Sequence, residues 1–496
     1  MAGLHLLPGE HSESESGSGF ARTDETSSCH RSLALSVEKE EESWNRMSLA
    51  SNSIAVGWSL VKKNVPRVQD SWLYACKTAF SMCSGAGTAE ASRAVLQSLV
   101  QKFPLPGCTL EMDIQTVALW ENASNCNQLL FDNHLWCMQT VGKDHPMPHF
   151  FGNILDLNDY GTFSLQDSYN VKKRRICRSI LVDEQLCNTH SHGDDHSSLC
   201  TVPSADYGCS GLPCTDMSRC GHQMKRHGPT NSIYMTHGKY TETKRVPLIT
   251  IECTPELDIG MVEETHPSYD LYQLFFSAKD TGHKGASRDR TYVIGAHHDL
   301  TSCKFDPHTM KDFISKKMIS KVQTRPSDYF FATVPEVLQE AEKLALKRNI
   351  SFKPRQLDLT YLLTDREKTS LQSYQTAYLE IFGEDPSTNQ DLVVFLGDNG
   401  GSWKSWSARN NQIPTFRRNC KTGLFWSSYF KRFLISREKL ATMGWPVVPG
   451  MAKAMNCPVT PSQDVLRASD LAGNAMNFTT VGVAQLIALS CFGPMF

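Results

Sequence analysis

The stretch FSMCSGAGTAE, residues 80–90, carries the pattern from which the fold is predicted. Its apolar start is typical of a buried strand, its two glycines of a turn, and the residues from Thr88 onward of a helix that continues through Ala94-Val95-Leu96. Glycines at a strand end let a ligand approach the backbone, next to the electropositive start of the helix. A simple turn explains the same glycines, so the pattern alone does not predict a ligand.

Further segments repeat the alternation of strand and helix. Residues 110–130 predict a strand and a helix, residues 150–157 a short strand and a loop, and 246–251 and 292–296 are short apolar runs of buried-strand type. Residues 158–208 are polar, rich in Cys and His, and have no clear period. Strands that alternate with helices predict an α/β fold built on a mostly parallel sheet.

The composition excludes several classes of protein. The chain has 496 residues, of which 40% are hydrophobic and 21% charged, and this excludes a collagen-like or fully disordered chain. The length leaves room for two or three domains, or for one large domain with insertions. Because the chain begins without a secretory leader, its 17 cysteines predict reduced thiols, a metal site or a reactive residue rather than a disulfide framework.

The formal charge of −2 hides an uneven distribution. Residues 1–45 carry a net −6 and predict a disordered acidic lead, because they have little apolar surface to bury. Residues 403–439 carry nine basic residues against one acid, with aromatic residues interleaved. Such a stretch fits a surface that binds a phosphate backbone, and its composition fits an ordinary basic face equally well. The candidate contacts are Arg409, Arg417, Arg418 and Lys421.

Three short motifs could carry chemistry. Pro213-Cys214, in a loop with Gly and Ser, can present a thiol, and a thiolate is a strong nucleophile. Glu252 ends an apolar strand, a place that suits a proton donor. Arg288 and Arg290 lie two apart on a predicted strand, so both can reach one anion or carbonyl group. The structural alternatives are an inert thiol for Cys214, a surface acid for Glu252 and a salt bridge for the two arginines.

In this order the motifs resemble those of the DNA (cytosine-5)-methyltransferases, over about residues 71–495. Pro213-Cys214 resembles the nucleophile motif Pro-Cys-Gln-x-Phe-Ser, and Glu252 stands where the family has Glu-Asn-Val. Residues 287–290 resemble the family's Gln-x-Arg-x-Arg strand. Residues 432–446 resemble the motif Arg-x-Leu-x-x-x-Glu, followed by Gly-(Phe/Tyr)-Pro, that supports the target-recognition domain.

Two later segments extend the resemblance. Ile413-Pro414-Thr415 is similar to the threonine segment of the recognition domain, and Gly473-Asn474-Ala475 to the family's last motif, which returns to the cofactor site. The resemblance implies a Rossmann-like S-adenosylmethionine-dependent methyltransferase sheet, a smaller target-recognition domain and DNA as partner. It also implies the cofactor-binding residues, which are Gly85, Gly87, Glu121, Asn153, Pro213 and Asn474.

The resemblance assigns roles to the reactive side chains. Cys214 would attack C6 of a flipped cytosine, Glu252 would bind the ring at N3, and Arg290, helped by Arg288, would hold the base carbonyl. Thr415 would join the basic residues in contacting the nucleic acid. The departures from the family pattern fall mainly around the cofactor and beside the nucleophile, at Ser81, Cys83, Thr215, Met217 and 253–254.

Together these observations predict four regions. Residues 1–68 would form an acidic, disordered extension, and 69–299 the catalytic domain, with a Cys/His-rich insertion near 158–208. Residues 300–430 would form the target-recognition region, and 431–496 would return to the catalytic domain.

Other functions remain open from the sequence. An RNA (tRNA) cytosine-5 methyltransferase could use the same motifs, and a DNA-binding regulatory relative with weak catalysis would fit the altered cofactor residues. Irregular spacing argues against a metal site among the clustered Cys and His residues, although zinc binding there stays open; these residues are Cys187, His190, His192, His196, Cys200, Cys209, Cys220 and His222.

Location is predicted from two features. The basic cluster 172–175 is of the nuclear-import type, which predicts a nuclear protein. The uncharged stretch 471–496 predicts a buried amphipathic helix rather than a membrane anchor, because polar residues interrupt it.

Overall fold

The computed structural model describes residues 41–190, 198–219, 221–321, 323–399, 403–416 and 423–495. The chain separates into Met1–Glu42, of which residues 1–40 lie outside the described part, and Ser43–Phe496. The described strands of the second unit are β1 (Thr78–Met82), β2 (Gln115–Trp120), β3 (His149–Phe151), β4 (Glu184–Cys187), β5 (Ser198–Thr201), β6 (Tyr207–Gly211), β7 (Leu248–Cys253), β8 (Tyr269–Phe276), β9 (Arg290–His297), β10 (Thr301–Cys303), β11 (Val394–Phe395), β12 (Phe425–Ser427), β13 (Arg432–Phe433) and β14 (Phe492–Pro494).

The described α-helices alternate with these strands over much of the chain. They are α1 (43–51), α2 (Ser53–Asn64), α3 (Trp72–Ala75), α4 (Thr88–Lys102), α5 (Ser124–Val141), α6 (Tyr169–Arg178), α7 (Asn231–Thr243), α8 (Ile259–Thr265), α9 (Pro307–Lys321), α10 (Val334–Arg348), α11 (Asp365–Phe382), α12 (Ser436–Thr442), α13 (Pro449–Met455), α14 (Val465–Asn474) and α15 (Phe478–Cys491).

A central sheet of nine described strands has the order β5-β4-β3-β2-β1-β6-β7-β9-β8. Its middle five strands are parallel neighbours, while β4, β5, β8 and β9 pair antiparallel at the two ends. The prediction of an α/β fold with a Rossmann-like, mostly parallel sheet is therefore confirmed. The chain order reverses between β1 and β6, and in open α/β sheets this is where ligand crevices form.

The stretch 80–90 folds as its sequence predicts. β1 is buried from Ala79 to Met82, and Gly85 and Gly87 have φ values of +55° and +70°. Residues with a Cβ are strained in this left-handed region, so the glycines allow the sharp turn. The turn leads directly into α4 and places its N-terminus at the carboxyl end of β1.

The C-terminal helix α15 is buried, as predicted, but it is buried on all sides, so the predicted amphipathic character is wrong. All 14 of its residues are buried, because the helix packs against α2, α4 and α9. Its one amide side chain, Gln485, donates to Ala89 O at 2.9 Å. In the part of the chain that the structure describes, no helix is long and apolar enough to cross a membrane.

The predicted disordered extension does not reach residue 68. Residues 43–51 and α2 are helical, and Met47, Ile54 and Trp58 are buried in the main core. Burial of these apolar side chains offsets the loss of chain entropy on folding, and the predicted disorder of residues 1–40 lies outside the described residues.

The structure does not divide the chain at residue 300, where the target-recognition region is predicted to begin. α9 packs into the main core through Met310 and Ile314. A separate apolar core lies between Val337 and Ile435 and is built from α10, α11 and the small sheet β11-β12-β13. The 158–208 insertion is also ordered in its described parts, where it forms α6, β4 and β5.

The basic cluster 172–175 lies on α6. Lys172 is buried there and donates to Asn231 Oδ1 at 3.3 Å, while Arg175 pairs with Asp167 at 2.9 Å. Local contacts thus engage part of the cluster, and nuclear location stays a prediction.

Candidate active site

Sheet topology brings most of the candidate residues to one edge. Asn153 follows β3, Glu121 follows β2, Gly85 follows β1, Cys214 follows β6 and Glu252 lies near the end of β7. Because these five strands are parallel neighbours, their carboxyl ends meet at the same edge of the sheet. The glycine turn and the Cys214 loop flank the point where the strand order reverses.

The antiparallel strand β9 delivers the two arginines to the same edge. Its first residue, Arg290, comes near the end of β7, where Arg290 Nε lies 2.8 Å from Glu252 Oε1. Arg288 Nη2 donates to Ala475 O at 2.8 Å and so joins this strand to the C-terminal part of the chain. The structure therefore brings Glu252, Arg288 and Arg290 together, and their roles stay a prediction.

Burial and charge act on the two arginines in different ways. Burial, and then the neighbouring Arg290 charge, lower the pKa of Arg288 to about 10. Burial also acts to lower the pKa of Arg290, but the charges of Glu252 and Cys214 outweigh it and raise this pKa. Arg288 Nε is buried without a hydrogen-bond partner among the described residues, so it can donate to a ligand.

The Cys214 loop is held by hydrogen bonds on both sides. Tyr234 OH donates to Pro213 O at 3.1 Å, and Ser218 N–H donates to Cys214 O at 2.8 Å. Asp216, which is fully buried, accepts from Thr230 N–H and Oγ1 at 2.9 and 2.7 Å. The sequence reasoning missed Asp216, although an acid two residues after a candidate nucleophile is a visible signal.

A glycine at the end of β6 lets the neighbouring segments pack closely around the candidate site. Gly211 pairs with Glu252 across β6 and β7. A Cβ at Gly211 would lie 2.5 Å from Met476 Cε, 3.3 Å from Cys83 O and 3.8 Å from Glu252 Oε2. This contact set also shows that the end of β1, the end of β6 and the segment after α14 surround one space.

On the glycine-turn side, Glu121 and Asn474 close around Gly85. Gly85 N–H donates to Glu121 Oε2 at 2.7 Å, and Ala123 N–H donates to Glu121 Oε1 at 2.9 Å. A Cβ at Gly85 would lie 2.4 Å from Asn474 O, so glycine is required by space as well as by φ. A carboxylate has about four acceptor sites, so Glu121 retains capacity for ribose hydroxyls.

The other cofactor candidates have local partners. Asn153 Oδ1 accepts from Leu155 N–H at 3.0 Å and caps the short helix after β3, while Asn474 Nδ2 donates to Asp470 O at 2.9 Å. Burial, followed by the charge of Glu121, raises the pKa of Cys83 to about 12, so this thiol is neutral. The resemblance implies that the acidic and amide groups at this edge would bind the ribose and adenine of S-adenosylmethionine, with the neutral Cys83 thiol beside them.

The predicted nucleic-acid residues divide into two groups. Thr415 Oγ1 donates to Ser287 O at 2.7 Å, and Ile413 exchanges backbone hydrogen bonds with Gly285 and Ser287. This part of the predicted recognition region therefore lies directly beside Arg288. Arg409 is exposed, and Arg417, Arg418 and Lys421 lie outside the described residues.

Comparisons with known proteins give similar solved structures but no sequence family. No family model matches the chain, and no curated protein matches it. The chain is similar to the S. pombe Dnmt2 methyltransferase, with a TM-score of 0.39 and 10% identity over 83% of this chain and 98% of that one. It is also similar to the Entamoeba histolytica methyltransferase EhMeth, with a TM-score of 0.40 and 9% identity over 83% of this chain and 98% of that one. For a mutant of Spodoptera frugiperda DNMT2 the TM-score is 0.34 and the identity 12%, over 83% of this chain and 99% of that one. The α/β class itself follows from this chain's own strand order and directions.

Proposed function

We propose that the protein transfers a methyl group to C5 of cytosine in DNA, through a covalent bond between Cys214 and C6 of the base. The observation that supports this most is the convergence at one sheet edge of the Cys214 loop, Glu252 and Arg290, with the last two 2.8 Å apart. The glycine turn at Gly85 borders the same space.

The chemistry requires a nucleophile, because C5 of cytosine is too weak a nucleophile to accept a methyl group unaided. Addition of the Cys214 thiolate forms an S–C6 bond and moves electron density to C5 and N3. Glu252 bonds to N3 and the exocyclic amine and stabilises the charge that develops there. S-adenosylmethionine, held by Gly85, Glu121 and Asn153, would supply the electrophilic methyl group. A base then removes the C5 proton, the S–C6 bond breaks and the Cys214 thiolate leaves.

The two arginines have distinct tasks in this scheme. Arg290 is paired with Glu252 and fixes its carboxylate. Arg288, held by Ala475 O through Nη2, keeps a buried Nε that can donate to the carbonyl oxygen of the base. A positively charged donor in a buried site stabilises the oxygen more than it would in water, because no solvent screens the charge.

The proposal that DNA is the substrate depends on the predicted recognition region. The target carbon is buried in a duplex, so the base must be flipped out at a cost of a few kcal/mol. Residues 413–415 lie against 285–287 next to Arg288, so a nucleic acid bound to the recognition region would reach the crevice. The basic residues that follow would bind the phosphate backbone.

Trapping on DNA that contains 5-fluorocytosine tests the proposal. Fluorine at C5 cannot leave as a proton does, so the cysteine adduct accumulates after methyl transfer and survives denaturing electrophoresis. We expect a methyl-donor-dependent adduct with the wild-type protein and none with Cys214→Ala. Cys177→Ala, at an exposed thiol on α6, is the control and should form the adduct normally.

Each alternative outcome is informative. An adduct on 5-fluorocytosine RNA and none on DNA would replace DNA by RNA as substrate. An adduct that survives in Cys214→Ala would refute the assignment of the nucleophile. Binding of DNA by wild-type protein that forms no adduct with either nucleic acid would refute the enzymatic proposal and favour a regulatory DNA-binding protein.

A further inference from the structure

Four metal-binding side chains converge at the end of the central sheet. They are His149 on β3, Cys187 at the end of β4, His190 in the turn that follows, and Cys200 on β5. One ligand atom from each lies within 4.8 Å of the ligand atoms of the others. Both cysteines are buried and both histidines are half-buried.

Four of the six separations between these atoms are close to the edges of a small tetrahedron, and the other two are within 4.8 Å. His190 Nδ1 lies 3.1 Å from His149 Nδ1, 3.5 Å from Cys187 Sγ and 3.8 Å from Cys200 Sγ, and Cys187 Sγ lies 3.7 Å from His149 Nδ1. A tetrahedral zinc ion with Zn–N of about 2.0–2.1 Å and Zn–S of about 2.3 Å places its ligand atoms about 3.3–3.8 Å apart.

Hydrogen bonding alone does not account for this arrangement. His190 Nδ1 contacts three ligand atoms, yet a ring nitrogen carries either one hydrogen or one lone pair and can serve one of them. Atoms that point at a common centre rather than pairing with one another indicate a shared ion.

The backbone around the cluster holds the ligands in place. Thr189 Oγ1 donates to Pro148 O at 2.9 Å and accepts from Phe150 N–H at 3.2 Å, so the turn with His190 is bound to β3. Asn188 N–H donates to Phe150 O at 2.8 Å. The His149 ring stacks on Phe151 with centroids 5.6 Å apart, which fixes its orientation.

We infer that this cluster binds one zinc ion as a structural site. The ligands are the Cys2His2 set that zinc prefers, and four protein ligands leave no open position for catalysis. A two-iron cluster of the Rieske type would separate the histidine pair from the cysteine pair on different irons, whereas here a histidine nitrogen contacts both sulfurs. The ion would fasten the β4-β5 hairpin to β3, the strand that precedes Asn153.

The irregular spacing in the sequence argues against this site. The ligand that completes it, His149, lies outside the Cys/His-rich stretch from which the prediction was made. Of the other candidates, His192, His196 and Cys220 lie outside the described residues, Cys209 is on β6 and His222 contacts Asp216.

Elemental analysis of the purified full-length protein, kept reduced, tests the inference. We expect one zinc per chain in the wild type and its loss in Cys187→Ser and in Cys200→Ser. Cys177→Ser, an exposed cysteine on neighbouring α6, should retain the zinc. Protein that contains no zinc and binds none in a chelator competition, or ligand variants that are folded and keep the zinc, would overturn the inference.

Cobalt substitution keeps the test decisive if the ligand variants do not fold. Co²⁺ exchanged into the wild-type protein should show the intense visible absorption of a tetrahedral site, with thiolate charge-transfer bands. In Cys200→His, which keeps four ligands, these bands should fall by about half because one of two thiolates is lost. An octahedral spectrum or the absence of thiolate bands in the wild type would refute the site, and neither readout depends on methyl transfer.

Discussion

The pair formed by Glu252 and Arg290 should serve folding and chemistry separately, and Glu252→Gln tests this. The two side chains are 10% and 13% exposed and their charges are 2.8 Å apart. Glutamine keeps the size of the side chain but leaves Arg290 as a nearly buried cation without a countercharge. Removal of one partner from a fully buried pair costs about 3–5 kcal/mol, and the residual exposure here reduces the expected loss to about 2–4 kcal/mol.

The effect on chemistry should be independent of that loss. In the proposed mechanism Glu252 stabilises N3 of the cytosine, and glutamine can supply neither its charge nor its proton. Loss of one such interaction slows a reaction by about 10²–10³-fold. Urea unfolding followed by tryptophan fluorescence measures the first effect. The single-turnover rate of adduct formation with 5-fluorocytosine DNA, at a temperature where the variant is folded, measures the second.

The double variant Glu252→Gln/Arg290→Gln separates the two roles. It removes the uncompensated cation, so it should be at least about 1 kcal/mol more stable than additivity of the single variants predicts, and it should remain slow in adduct formation. Glu263→Gln, at an exposed position on α8, is the control and should change neither quantity. Strict additivity of the stabilities, or an adduct rate within tenfold of wild type in Glu252→Gln, would refute the reasoning.

Two further predictions concern the recognition region. Glu438 is fully buried and accepts two hydrogen bonds from Arg432, of 2.8 and 2.7 Å. Glu438→Gln should therefore lower the free energy of unfolding, measured in urea, by about 3–5 kcal/mol. A loss below about 1 kcal/mol would contradict this prediction. Burial raises the pKa of Glu340 from 4.5 to about 7, so the folded protein holds this proton more tightly and loses stability as pH rises between those values. In thermal unfolding, Glu340→Gln should therefore be more stable than the wild type by about 1–3 kcal/mol at pH 8 and by little at pH 4.5. The control Glu342→Gln, at an exposed position on the same helix, should show no such pH-dependent gain in stability.

The predictions from sequence succeeded where neighbouring residues decide the structure. The strand, turn and helix of residues 80–90 follow from apolar burial and from the positive φ of Gly85 and Gly87. The α/β class follows from repeated alternation of the same kind. Cys214, Glu252 and Arg290 lie at one edge of the sheet because each is at, or just beyond, the end of a strand, and their catalytic roles stay a prediction.

The predictions from sequence failed where contacts between distant segments decide the structure. The sequence predicts an amphipathic helix at α15 because polar residues interrupt its apolar run. In the structure the helix is buried on every face, and Gln485 has an internal hydrogen-bond partner. The start of the predicted recognition region could not be located from the sequence, because α9 packs into the main core through contacts that no local sequence pattern shows. The backbone hydrogen bonds of residues 413–415 with 285–287 likewise join positions far apart in the chain.

The sequence by itself determined the strand–turn–helix unit, the α/β class and the reactive residue types, because backbone preferences and hydrophobic periodicity act over a few residues. Only the tertiary structure decided what those residues meet. It placed Arg290 beside Glu252, and it placed His149 against Cys187, 38 residues later in the chain. Such encounters depend on strand order and direction in the sheet, which result from packing the whole chain around one core, and a one-dimensional spacing does not contain them.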